Sequence, residues 1–156
     1  MFREMRRKAQ QLSEDECISI LTKAPRGVLA VLGDSGYPYA IPLNFLYKDG
    51  ALYFHGAKTG HKVDALMKCN KVSFCVIDEG KKTEGAWYFT FKSVIAFGTV
   101  SFLTNEAEAL EHVRELGLKY NPYAEDVEDE LNNAKNRVLC FKMNIDHLSG
   151  KIVKEK

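Results

Sequence analysis

The stretch Gly36–Lys62, GYPYAIPLNFLYKDGALYFHGAKTGHK, decides how the rest of the chain is read. Its first half, Tyr37 to Tyr47, is rich in aromatic and branched residues and predicts a strand. Apolar side chains fall at both parities, so water is expected to face neither side of it. Pro38 and Pro42 interrupt the run four residues apart. Amide direction repeats every two residues along a strand, so both missing donors lie on the same edge. That edge cannot carry a normal ladder. It is either an open edge or the place where something other than a strand docks. Lys48-Asp49-Gly50 supplies a tight turn, Ala51 to His55 returns as a strand, and the loop Gly56–Lys62 leads into a helical run, Val63 to Lys68. A glycine-punctuated loop at a helix start, carrying Lys58, His61 and Lys62, can cradle an anion. Free backbone N–H groups and the positive end of the helix dipole face the ligand, and cationic side chains close around it. Taken alone, lysines near a helix start are more often simply solvated. The broken strand edge and the cradle, one hairpin apart, together point to a ligand site.

Length and composition bound the answer. The chain of 156 residues fits one domain, residues 1–156, and is long enough to bury roughly 70% of its unfolded surface. Its 46% hydrophobic and 28% charged residues suit a soluble globular protein. Lys and Arg number 22 against 21 Asp and Glu, a net charge of +1, which argues against nucleic acid or acidic membrane as the main partner. The N-terminal MFREMRRKAQQL is basic but no apolar core follows it, so no signal peptide is expected. The longest wholly apolar run, about Val28 to Leu32, falls far short of the ~20 residues of a membrane span, and the expected location is cytoplasmic. Cys17, Cys69, Cys75 and Cys140 form no C-x-x-C pair and are expected as small buried hydrophobes rather than disulfides. His55, His61, His112 and His147 show no metal-ligand spacing, so no metal site is expected.

Elsewhere the chain alternates helix and strand. Ser13 with Glu16 makes a capping box for a helix that Pro25 ends. Gly27 to Leu32 is a short apolar strand closed by the turn Gly33–Gly36, and Lys71 to Asp78 is another, followed by a polar loop to Gly85. Ala86 to Leu103 is too long for an ordinary strand, so a bend or bulge near Lys92-Ser93, or two strands, is expected. Gly98 is expected where something approaches the backbone closely. Asn105 to Tyr120 is an amphipathic helix with Ala107, Leu110, Val113 and Gly117 on its inner face. Residues 124–133 form a short, acidic, exposed helix, and Arg137 to Ile145 alternates as the last strand. The order, roughly αβββαβββαβ with short turns, predicts an α+β, mainly antiparallel β fold that closes into a small barrel.

The quoted stretch also resembles a family. Met5-Arg6-Arg7-Lys8, Gly36-Tyr37-Pro38-Tyr39, Ile41-Pro42-Leu43-Asn44-Phe45, Leu52-Tyr53-Phe54-His55-Gly56-Ala57 and Gly60-His61-Lys62 are similar to the split-barrel flavoproteins related to pyridoxamine 5'-phosphate oxidase. Within these the chain looks most like flavin reductases of the nitroimidazole-resistance type. The resemblance covers Met5 to about Lys151. It implies a six-stranded antiparallel split β-barrel with flanking helices, forming a homodimer with flavin mononucleotide (FMN) held across the interface. Carried over by motif, Lys62 is the first phosphate contact. His61 stands where relatives often have arginine, and Lys58 is a second basic candidate. Ile41, Pro42, Leu43 and Asn44 would lie along the isoalloxazine ring, with Phe54, His55 and Gly56 from the strand-end motif. His55 would contact the flavin or a substrate and is the catalytic candidate, while Trp87, Ser93 and Phe97 would wall the pocket from the partner subunit. The implied activity is that of an FMN-dependent oxidoreductase acting on nitroaromatic or related acceptors, with a nicotinamide donor. A flavin-binding protein without turnover, a haem-binding split barrel using His55 or His61, and a pyridoxamine phosphate oxidase are the alternatives.

Overall fold

The computed structural model describes residues 1–134 and 138–154. Its centre is one antiparallel sheet built from β1 (Arg26–Leu32), β2 (Pro38–Asn44), β3 (Leu46–Lys48), β4 (Ala51–Ala57), β5 (Lys71–Ile77), β6 (Lys81–Lys82), β7 (Phe89–Phe102) and β8 (Val138–Lys154). The strands run β2-β1-β5-β7-β8-β4-β3, with β6 added beside β7. Four helices flank the sheet: α1 (Glu14–Lys23), α2 (His61–Lys68), α3 (Glu106–Tyr120) and α4 (Ala124–Ala134). The result is a mainly β, curled half-barrel of the split-barrel kind, with six long strands and two short ones. Among the described residues no helix is long and apolar enough to cross a membrane.

The curl follows from the proline strand. β2 and β3 are the two ends of the ladder, yet only Phe45 separates them in sequence. The expected single strand from Tyr37 to Tyr47 therefore changes partners midway: β2 pairs with β1, and β3 pairs with β4. Phe45 belongs to neither ladder, and its peptide groups are satisfied from α3. Its N–H donates to the Tyr120 hydroxyl at 3.1 Å, and its carbonyl accepts from Lys119 Nζ at 2.8 Å. Lys119 also donates to the Ala24 carbonyl at 2.9 Å, and Tyr120 donates to the Pro25 carbonyl. The Lys119 ammonium lies 4.1 Å from the centre of the Phe45 ring. That ring is wholly buried against Phe74, and Phe74, Phe54 and Phe141 continue as one aromatic core.

The expected proline edge is present: β2 is an end of the ladder, and its prolines sit opposite Leu32 and Val28 of β1. The expectation that water faces neither side of this strand fails. Tyr39, Ile41 and Leu43 pack on the core, whereas Pro38, Ala40, Pro42 and Asn44 are exposed, because none of the described residues covers the outer face of this edge strand.

Other boundaries shift for long-range reasons. β7 is one strand of 14 residues, and its register slips at Phe97/Gly98 rather than near Lys92-Ser93. A Cβ on Gly98 would stand 2.1 Å from the Asn144 carbonyl oxygen, so the expected close approach is there. The last strand continues beyond Ile145 to Lys154; its first part pairs with β4, and from Phe141 onward it pairs with β7 from Phe102 back to Thr90; its expected first residue, Arg137, lies outside the described residues. Gly150 on this extension meets α1, where a Cβ would lie 2.4 Å from Cys17 Sγ. The α1 capping box forms as expected. On α3 the buried residues are His112 and Leu116, and Ala107 is exposed, which rotates the inner face from the expected one. The four cysteines are free; Cys17 and Cys140 are buried, and Cys69 and Cys75 are half-buried.

Lys119 gives the crossover a pH signature. Burial pushes its pKa down to about 8 from 10.5. Between those values the unfolded chain holds a proton that the folded chain has released, so this group makes stability rise with pH. Subtracting the stability–pH curve of Lys119→Met from that of the wild type should leave a difference that grows in the native chain's favour from pH 8 upward. A flat difference by denaturant melts would place this amine in water rather than at the crossover.

Candidate functional site

The helix start behind the proline strand is built to receive charge. Gly60 precedes α2 with φ 124° and ψ 171°, a conformation that strains any side-chain-bearing residue, and no side chain caps the helix. The first N–H groups of α2 thus lack the side-chain acceptor that usually closes a helix start. Lys62, in this first turn, is half-buried, with its ammonium 5.5 Å over the ring of the core residue Phe141. A Cβ on Gly56 would come within 2.8 Å of Lys62 Nζ, so the glycine leaves the space the ammonium uses. Burial lowers the Lys62 pKa. Among the described residues it has no carboxylate partner. A desolvated ammonium without a counter-ion, beside an uncapped helix start, fits a bound phosphate.

His61, its neighbour, turns the other way. Its ring stacks on Tyr39 of β2 at 4.3 Å and 10°, and its Nε2 lies 3.4 Å from Asp34 Oδ2. Asp34 also accepts from Lys68 at 2.9 Å, and that bond is the main reason its carboxyl titrates below the usual range. The Tyr39–His61 stack brings the proline strand against the cradle, so the two features quoted from the sequence meet in space. Of the four residues expected along a ring, Pro42 and Asn44 face outward, while Ile41 and Leu43 turn inward.

At the break after Asn44, β2 and β4 part and α3 and α4 lie over the gap. The cleft between them encloses about 310 Å³ and is lined by Asn44, His55, Tyr120 and Glu130 among polar groups, with Val113 and Leu131 among apolar ones. His55 occupies an exposed position at the end of β4, yet enough protein surrounds its imidazole to desolvate it. Burial lowers its pKa; the Glu130 carboxylate opposes that shift and the Lys62 cation reinforces it. The neutral ring that results at pH 7 can both donate and accept a hydrogen bond.

Four expected residues lie apart from this group. Phe54 is wholly buried between Phe74 and Phe141, so its ring is core and is unavailable to a ligand, a correction set by strand parity at the end of β4. Lys58 lines a different cavity, beside Glu106 and Cys140. Trp87 is exposed in the loop before β7 with its ring against Tyr88, and Ser93 is half-buried on β7 opposite Lys151. Sequence reasoning did not pick out Tyr120 or Glu130. Val127 and Leu131, four apart on α4 and both buried, do mark an inner helical face, and that spacing sets Glu130 beside it.

Comparisons with known proteins agree with the architecture. A family model described as pyridoxamine 5'-phosphate oxidase matches residues 13–152. A search of curated proteins finds no match. Among solved structures, a proposed 5-nitroimidazole antibiotic resistance protein from Bacteroides thetaiotaomicron superposes with a TM-score of 0.78 at 21% identity, covering 91% of this chain and 86% of that one. A FAD and haem binding protein from Mycobacterium smegmatis gives 0.75 at 20% identity, with 94% and 74% covered. A FAD-binding protein from Mesorhizobium loti gives 0.65 at 22%, with 93% and 98% covered. At these identities the likeness establishes the fold.

The cradle and His55 are electrostatically linked, which sets a sign. The Lys62 cation disfavours imidazolium, so an anion on Lys62 should raise the His55 pKa. Imidazole proton NMR from about pH 5 to 8, in phosphate and in chloride at equal ionic strength, should show a higher midpoint in phosphate. Lys62→Ala should also raise it and abolish the difference. An identical midpoint in all three would mean that no anion sits near this histidine.

Proposed function

The chain belongs to the pyridoxamine 5'-phosphate oxidase family, and from that premise we propose that it is an FMN-binding oxidoreductase acting on small nitroaromatic or related acceptors. The observation that carries this reading is Lys62: a half-buried ammonium with no carboxylate partner among the described residues, beside a helix start that no side chain caps. Such a corner suits a phosphate monoester, whose dianion takes an ammonium and several N–H donors at once. The exposed Pro42, Asn44 and backbone of the β2 edge would hold the ring system, with His55 available from the cleft that Asn44 also lines. Bound flavin supplies reversible two-electron redox chemistry between a nicotinamide donor and the acceptor. The protein's own part is to anchor the phosphate, present a hydrogen-bonding edge, and hold a neutral imidazole at the acceptor's side.

The outer face of the sheet supports a second copy as partner. Pro42, Val28, Cys75 and Ile95 form one row across β2, β1, β5 and β7. Val28, Leu32, Ile77, Ile95 and Phe97 are exposed apolar residues on these strands. A contiguous apolar face of this kind marks an interaction surface. In a homodimer closed on this face, Trp87 and Ser93 would wall the partner's flavin site.

Purified protein should carry a flavin absorption spectrum or acquire one on adding FMN. Lys62→Ala should weaken FMN binding by about 10- to 100-fold, the value of one hydrogen bond to a charged group, and leave riboflavin affinity nearly unchanged. Titration by flavin fluorescence checks both. Equal losses for the two ligands would move the phosphate away from Lys62.

A further inference from the structure

The cleft over His55 has a charge preference that the flavin reading does not by itself supply. Two of its polar groups are committed. The Tyr120 hydroxyl is shared between Phe45 and Pro25, and Asn121 donates to Asp126 while accepting from the Tyr123 amide. Asn44, His55 and Glu130 are left to address a ligand. Burial holds His55 toward its neutral form. Among the described residues the Glu130 carboxylate has no hydrogen bond or ion pair. The helix that carries it contains Glu125, Asp126, Glu128 and Asp129 and no lysine or arginine.

Among the described residues the cation that acts on His55 is Lys62. With a phosphate on Lys62 that charge is compensated, and Glu130 becomes the uncompensated charge at the cleft. Its walls, Val113, Leu116, Val127 and Leu131, are apolar. A volume of about 310 Å³ lies at the small end of ligand pockets. We infer that Glu130 sets the charge class of the second ligand: the cleft takes a flat one- or two-ring compound that is neutral or cationic, and it excludes aromatic carboxylates. This rests on the proposed flavin reading for the ligand's role as acceptor and for the phosphate that compensates Lys62.

An isosteric series tests it: 4-nitrobenzylamine (cationic at pH 7), 4-nitrobenzyl alcohol (neutral) and 4-nitrobenzoate (anionic). Binding would be measured by calorimetry with and without saturating FMN. The native protein should bind the amine about tenfold or more tighter than the benzoate. Glu130→Gln should shrink that ratio to about twofold, leave the alcohol unaffected and leave FMN affinity unchanged; Glu130→Lys should reverse the order. Glu130 is exposed, so loss of fold is not expected, and unchanged FMN binding checks this. A flat series in the native protein, or a preference that survives Glu130→Gln, overturns the inference. If FMN is taken up and the series is flat, the cleft inference fails alone. If FMN is refused while the Glu130-dependent order persists, the charge inference stands and the flavin reading falls.

Discussion

One peptide unit constrains the whole molecule. A half-barrel whose two end strands are consecutive in the chain must contain a residue that has left one ladder and not joined the next. That residue is Phe45, and its backbone groups are buried where water cannot serve them. An unpaired buried N–H or C=O costs about as much as a lost hydrogen bond, so the crossover is tenable only if side chains replace the ladder. Lys119 and Tyr120 do so, and they also hold the carbonyls of Ala24 and Pro25 at the junction of α1 and β1. The C-terminal turn of α3 is therefore a fastener between the start of the domain and the closure of its sheet. Its position is fixed in turn by the Lys48–Glu115 ion pair at 2.7 Å and by the stacking of His112 on Tyr53.

The site inherits its shape from that closure. Because the strand breaks at Phe45, Asn44 and His55 are parted instead of joined by a ladder, and α3 and α4 cover the gap. Gly117 lets α4 approach, since a Cβ there would meet Val127 Cγ1 at 2.8 Å, and the Arg114–Glu128 pair ties the two helices. Glu130 thus reaches the cleft as a consequence of how the helices pack against the crossover. Tyr120 serves in both roles, as a bond to the Phe45 amide and as a wall of the cleft.

What was legible in the sequence was whatever local chemistry determines. Two prolines at the same parity specify an edge whatever the rest of the chain does, and β2 is an edge. A glycine with no capping side chain before a helix specifies open N–H groups, and Gly60 has them. The Ser13–Glu16 box specifies its own helix. Features that depend on distant partners were not legible. The register slip at Gly98 is set by the Asn144 carbonyl on β8, 46 residues away in sequence, so the local composition around Lys92 pointed to the wrong place. Phe54 and His55 are neighbours in one motif, but opposite parities send one into the aromatic core and the other to the cleft. Lys58 and Lys62 are four residues apart, yet Lys58 lines a cavity beside Glu106 and Cys140 whereas Lys62 lies over the ring of Phe141. The acidic run of α4 reads as solvated until the inner face of Val127 and Leu131 is set against α3.

The two uncompensated charges then explain why a histidine at this point is useful. Lys62 and Glu130 act on His55 with opposite signs, and burial adds to the effect of Lys62. With the cradle empty, cation and burial together keep the ring neutral, and the cleft lacks a cationic proton donor. An anion on Lys62 removes one of those two influences and leaves Glu130 acting alone against burial, so the ring is more easily protonated when the cradle is filled. Filling the anchor site and readying the imidazole are then a single electrostatic event. It needs no moving part, because the distances are already fixed by the closure at Phe45 and by the ring of Phe141 beneath Lys62. The same logic gives Glu130 a second role beside selecting ligand charge, since a carboxylate that favours a cation in the cleft also favours imidazolium on its wall. A bound cation and a protonated His55 would repel each other, so the cleft can hold either one but not readily both. That competition is how a small, rigid half-barrel could link what it binds to the protonation state in which it binds it.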